Sequence, residues 1–118
     1  MKESNRQKKF GKLIQKELSV ILQRDITLEN APMLTVTVVR GTPDLRIARV
    51  YISVFPQDQA EAAMEGLQEA NKEIRHLLAQ KIRRQVRNIP EIQFYLDDTA
   101  QEVKRMDALF DSLNEEND

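Results

Sequence analysis

The sequence predicts an α+β domain in two layers, a three-stranded sheet with helices over one face. Three observations lead there. Residues 34–40, L-T-V-T-V-V-R, are dense in β-branched side chains, which fit a pleated, half-buried surface. Residues 46–55 alternate Ala48, Val50, Ile52 and Val54 with Arg49, Tyr51 and Ser53, the period of a strand with one covered face. Around these strands lie stretches whose apolar residues recur at helical spacing, so strands and helices mix within 118 residues.

The first helix is expected over residues 6–24, where Phe10, Leu13, Ile14, Leu18, Ile21 and Leu22 share a stripe. Its polar side carries Lys8, Lys9, Lys12 and Lys16. Residues 25–33 read as a connector, since Asn30, Ala31 and Pro32 break the periodicity before the first strand. Between the two strands, Gly41-Thr42-Pro43-Asp44-Leu45 has the chemistry of a short loop and predicts a hairpin.

Beyond Phe55-Pro56, Ala60, Ala63, Met64 and Leu67 share a helical face, while Glu61, Glu65 and Glu69 repeat on another. The apolar pattern then continues through Ile74, Leu77, Leu78, Ile82 and Val86 with no proline between. One helix over residues 58–88 would be about 45 Å long at 1.5 Å per residue, too long for a three-stranded sheet. Two helices meeting near Ala70-Asn71-Lys72 are therefore expected. Pro90 disfavours helix at Ile89, and after it Ile92, Phe94 and Leu96 alternate with Gln93 and Tyr95 as a third strand. Thr99 followed by Glu102 makes a capping box for a short terminal helix, residues 99–113, with Val103, Met106, Leu109, Phe110 and Leu113 as its stripe. Residues 114–118, N-E-E-N-D, are expected to be a disordered acidic tail. The order α-β-β-α-α-β over residues 1–98 is that of the type II KH fold, a nucleic-acid-binding architecture.

The formal net charge of −1 conceals a segregation. Residues 1–24 hold seven Lys/Arg against two acids, net +5, and residues 72–87 hold six against one, again +5. Residues 97–118 hold eight acids against two bases, net −6. Local density of charge, more than the total, decides whether a surface attracts phosphate. Lys72, His76, Arg83 and Arg87 fall on one helical face opposite the apolar stripe. A solvated face is the competing reading, but the second basic helix favours phosphate contact. Guanidinium groups pair with phosphate oxygens and release condensed counterions. The expected nucleic-acid contacts are Asn71, Lys72, Arg75, Arg83, Arg84 and Arg87, with Lys8, Lys9 and Lys12 secondary. Lys81 is expected to pack its stem and snorkel its amine. Arg40, Arg46 and Arg49 around the hairpin read as surface charge, and Tyr51 and Tyr95 as partly buried under a helix.

Catalysis has little support in the residues. There is one histidine, His76, and no cysteine, so histidine clusters, thiolate nucleophiles, disulfides and zinc-thiolate sites are excluded for this sequence. Asp97 and Asp98 are adjacent at a strand end, where successive side chains diverge. No glycine-rich phosphate loop is present. No enzyme activity, cofactor or metal is expected. No apolar run is long enough to cross a bilayer and the first residues lack the apolar middle of a signal peptide, so a soluble, cytoplasmic protein is expected.

Several segments taken together resemble the bacterial ribosome-binding factor A family. They are Arg6-Gln7-Lys8-Lys9, Ile14-Gln15-Lys16-Glu17-Leu18, Thr42-Pro43-Asp44-Leu45, Ala48 to Phe55, Ile74-Arg75-His76-Leu77-Leu78, Lys81 to Arg87, Ile89-Pro90-Glu91-Ile92-Gln93-Phe94, Leu96-Asp97-Asp98-Thr99 and Arg105-Met106. The resemblance spans roughly residues 4 to 110 and rests on the ordered set, each motif being weak alone. It implies a monomeric, non-enzymatic assembly factor that binds the immature small (30S) ribosomal subunit and its 16S rRNA. It further implies a part in late maturation, including processing of the rRNA 5′ end, an association with growth in the cold, and contacts with other assembly factors. In this family the helix junction is a kink of the form Ala-x-Gly. Here Ala70 is present, and Lys72 stands at the glycine position. The competing reading is a protein-interaction module working through the terminal helix and acidic tail.

Overall fold

A computed structural model describes residues 3–98. The elements are α1 (Asn5–Arg24), β1 (Met33–Gly41), β2 (Ile47–Phe55), α2 (Ala60–Glu69), α3 (Asn71–Ile82) and β3 (Glu91–Leu96). The expected terminal helix and acidic tail lie outside the described residues. β1 and β2 are antiparallel, β2 and β3 parallel, and the sheet order is β1-β2-β3. The parallel pairing follows from the two-helix crossover between β2 and β3, since a parallel neighbour cannot be reached by a tight turn.

α1 begins where Ser4 and Gln7 make a reciprocal capping box: the Gln7 N–H donates to Ser4 Oγ at 3.1 Å, and the Ser4 N–H donates to Gln7 Oε1 at 2.8 Å. Its predicted stripe is the core stripe, with Phe10, Ile14, Leu18, Ile21 and Leu22 buried. The helix crosses β1 closely at Gly11, where an added Cβ would stand 2.5 Å from the Val39 carbonyl oxygen. In β1 the register shifts between Val36 and Val38, so burial passes from Val36 to Val39 and Gly41. Gln15 of α1 donates to the carbonyls of Val36 and Thr37 at that bulge, at 3.1 and 3.3 Å.

The two-helix expectation holds, with the break at Ala70. Its φ of −87° and ψ of 1° are accessible to alanine, so the bend needs no glycine at residue 72. The Ala70 N–H donates to the Gly66 carbonyl and its carbonyl accepts from Ile74 N–H, keeping the backbone nearly continuous through the junction. α3 is shorter than its apolar pattern. It stops at Ile82, and Val86, expected on its stripe, lies in the turn that follows, half-buried. Continuing the helix would stack Arg83 and Arg84 one turn from Arg87, a like-charge arrangement that disfavours helix, and the chain must turn here to enter β3.

Eighteen buried apolar residues between Phe10 and Phe94 form one core among the described residues, including Ala48, Val50, Ile52 and Val54 as the alternation required. Leu96 departs from expectation. As the last strand residue it is 41% exposed, in a shallow hollow beside Val54 and Ala60. Tyr51 and Tyr95 also differ, for the helices cover the other face of the sheet. The two rings, paired in register, stack with centroids 5.4 Å apart at 27°.

Candidate nucleic-acid interface

The nine residues singled out from the sequence fall into three groups. Asn71 and Arg75 are tied to the fold. Asn71 Nδ2 donates to the Ile92 carbonyl at 2.9 Å, holding the helix junction to β3. Arg75 donates from Nε to the Pro90 carbonyl at 3.1 Å and from Nη2 to the Ile89 carbonyl at 3.0 Å, fixing the lead-in to the same strand. Pro90 is buried and the segment before it has no regular partners of its own, so these side-chain bonds satisfy carbonyls that would otherwise need water.

Lys72 lies at the first turn of α3, and Arg83, Arg84 and Arg87 lie beyond its last turn. Eleven residues of rise put about 16 Å between the two ends, so the stripe joining Lys72 to Arg87 on a single helix does not form. The ends also differ in surroundings. Lys72 neighbours a hollow of 470 Å³ lined by Asp25, Glu29, Glu65, Glu69 and Glu73. The far end is cationic.

There the start of α1, the hairpin loop and the turn after α3 converge on an open cavity of about 570 Å³. Arg6, Lys9, Arg46 and Arg87 line it over an apolar floor of Phe10, Leu13, Leu45 and Val86, and Asp44 is its one acid among the described residues. The loop that forms one wall is fixed by its own bonds. Asp44 Oδ1 accepts from Thr42 Oγ1 at 2.7 Å and from the Arg46 N–H at 3.1 Å, and these bonds, the Thr42 one foremost, hold its carboxyl below the ordinary value of 3.8. Thr42 N–H donates to the Ile47 carbonyl at 3.0 Å, and Leu45 N–H to the Thr42 carbonyl at 2.8 Å. Leu45 thereby sits at φ 58°, a left-handed conformation costing a side-chain-bearing residue about 1 to 2 kcal/mol. Beside it, Gly41 leaves room for the Phe10 ring: a Cβ there would meet Phe10 Cδ1 at 2.6 Å and Leu45 Cδ2 at 3.4 Å. Gln7 Nε2 donates to the Gly41 carbonyl at 3.0 Å, clamping α1 to the hairpin.

The sequence points to Lys9 and Arg87; Arg46, which it leaves as surface charge, and Arg6 join them only through the fold. The only sequence signal for the wall was the Gly41-Thr42-Pro43-Asp44 loop, which marks a turn but not the helix it folds against. Lys8 and Lys12 are exposed on α1. Lys81 reaches Glu17 of α1 at 3.9 Å, a weak pair consistent with a snorkelled amine. Among the described residues no Lys8, Lys9, Lys12, Lys72, Arg83, Arg84 or Arg87 side chain pairs with a carboxylate within 4.0 Å, and no described helix is long and apolar enough to cross a membrane.

The α-β-β-α-α-β order, with β3 parallel to β2 and three helices on one face, defines the class: a KH-like domain of type II topology. The family described as Ribosome-binding factor A matches residues 6–110. Ribosome-binding factor A of Flavobacterium johnsoniae is 39% identical over 107 residues, covering 89% of this chain and 82% of that one. The chain belongs to the ribosome-binding factor A family. The crystal structure of the Thermus thermophilus member shares the fold, with a TM-score of 0.61 at 23% identity over 76% of this chain and 94% of that one. Thermus thermophilus ribosome binding factor A as fitted into the cryo-EM map of a 30S complex superposes with a TM-score of 0.58 at 26% identity, covering 73% and 89%.

Proposed function

We propose that the chain is a non-enzymatic assembly factor that binds the immature small ribosomal subunit as a monomer in the cytoplasm, mainly through phosphates of 16S rRNA. The observation that carries the reading is the convergence of Arg6, Lys9, Arg46 and Arg87 on one end of a chain whose net charge is −1. Such a local excess has no use in holding this core, and planar guanidinium forks suit phosphate oxygens. Arg83 and Arg84 adjoin that end, and Lys8 and Lys12 extend it along α1. The complex of the Thermus relative with the 30S subunit supports the partner. Assistance with late maturation and 5′-end processing, action alongside other assembly factors and support of growth in the cold belong to the same reading. Lys72, beside the carboxylates at the α2-α3 junction, lies outside this contact surface.

Salt titration of subunit binding tests this. Log affinity is expected to fall with log salt by about 0.7 to 0.9 per phosphate neutralised. A flat dependence overturns phosphate contact and favours a protein-protein contact.

A further inference from the structure

We infer that the cavity between α1, the hairpin loop and the turn after α3 seats one unpaired RNA nucleotide, its base against Leu13, Leu45 and Val86 and its phosphate among Arg6, Arg46 and Arg87. The inference rests on the RNA reading above and names what this end of the molecule would recognise. A phosphate site alone needs donors and no apolar floor, whereas here the half-buried Leu13, Leu45 and Val86 line the same cavity as three guanidinium groups. A nucleotide has both halves: flat faces that pack on apolar side chains and guanidinium planes, and a charged phosphate. The cavity, at about 570 Å³, falls within the size range of small-ligand sites. Its wall is held by hydrogen bonds within the loop. Leu45 is held in a left-handed conformation by the Thr42 carbonyl, and Phe10 is pressed against Gly41. The opposite end, with its carboxylates, would repel the same ligand. An acidic peptide with an apolar side chain has comparable halves; the three arginines and the small-subunit partner favour the nucleotide.

The test is an NMR titration of the full ¹⁵N-labelled chain with uridine 5′-phosphate, adenosine 5′-phosphate and ribose 5-phosphate at fixed ionic strength. Amide shifts are expected at Leu13, Leu45, Arg46, Val86 and Arg87, with the nucleotides binding about twofold or more tighter than the sugar phosphate, the low end of what a guanidinium plane over an aromatic base contributes. Equal affinity for ribose 5-phosphate, shifts centred elsewhere, or tighter binding of an acidic aromatic peptide overturns the proposal. Val86→Asp, which puts a carboxylate on the floor, is expected to abolish the preference for nucleotides. Leu45→Gly, whose backbone glycine adopts freely, removes a half-buried side chain packed on the core; with its fold checked by amide dispersion equal to wild type, it is expected to reduce the preference too. Subunit binding separates this proposal from the broader one. In Leu45→Gly, weaker binding with an unchanged salt slope supports the cavity, and wild-type affinity with that slope overturns the cavity alone. A flat slope in the wild-type chain overturns the RNA reading on which it rests.

Discussion

Arg75 shows how one residue type can satisfy two different demands. By position it belongs with the cations around Lys72, yet two of its N–H groups donate to the carbonyls of Ile89 and Pro90 and lead the chain into β3. Replacing it with alanine leaves those carbonyls without their partners, and lysine cannot reproduce the planar fork. Both variants are therefore expected to lose about 1 to 3 kcal/mol of stability, read from urea unfolding. Unchanged stability with weaker subunit binding would instead return Arg75 to the contact surface. Ala70 and Lys72 make the complementary point. The bend uses a negative φ at Ala70, so it needs no glycine, and lysine occupies residue 72 at no backbone cost.

Among the elements, α1 and β1 are the pair most sensitive to a single atom. Gly11 is there because the helix lies against the Val39 carbonyl, with 2.5 Å available to a Cβ. Gly11→Ala must push backbone against backbone, since no flexible side chain can yield, and is expected to cost about 1 to 3 kcal/mol. In a domain of this size that lowers the thermal midpoint by roughly 4 to 8 °C per kcal/mol. A midpoint equal to wild type would mean that α1 rides further from the sheet. The bulge in β1 belongs to the same contact, because Gln15 of the helix satisfies the carbonyls that the register shift leaves facing it. α3 teaches a different lesson: its apolar period runs on to Val86 while its helix ends at Ile82. Val86 still reaches apolar surroundings, but from a turn, so the periodicity located the buried residue and not the helix end.

At the scale of the whole molecule, charge is sorted by end. Carboxylates gather where α2 meets α3, and cations where α1, the hairpin and the turn after α3 meet. A polyanion is therefore steered toward one end and away from the other, an effect that weakens as salt screens it. Among the described residues, the core that holds these ends apart lies entirely between Phe10 and Phe94. A chain truncated after Asp98 is accordingly expected to unfold cooperatively, with coincident circular-dichroism and fluorescence transitions. Non-coincident transitions would show that residues 99–118 belong to the folding unit.

The sequence by itself determined the element order, the two-helix crossover and nearly all of the core, because hydrophobic period and turn chemistry act over a few neighbouring residues. Phe10, Ile14 and Leu18, or Ala48, Val50 and Ile52, need no distant partner to reveal which way they face. It also marked Lys9 and Arg87 as candidates, through local charge density. Only the tertiary structure decided which cations stand together. Arg6, Arg46 and Arg87 are separated by about forty residues each along the chain and meet because α1 crosses β1 at Gly11, Phe10 settles on Gly41, and the chain turns after Ile82. It decided too that Asn71 and Arg75 bond to β3 and its lead-in, since a side chain's partner is set by what the fold brings within about 3 Å of it.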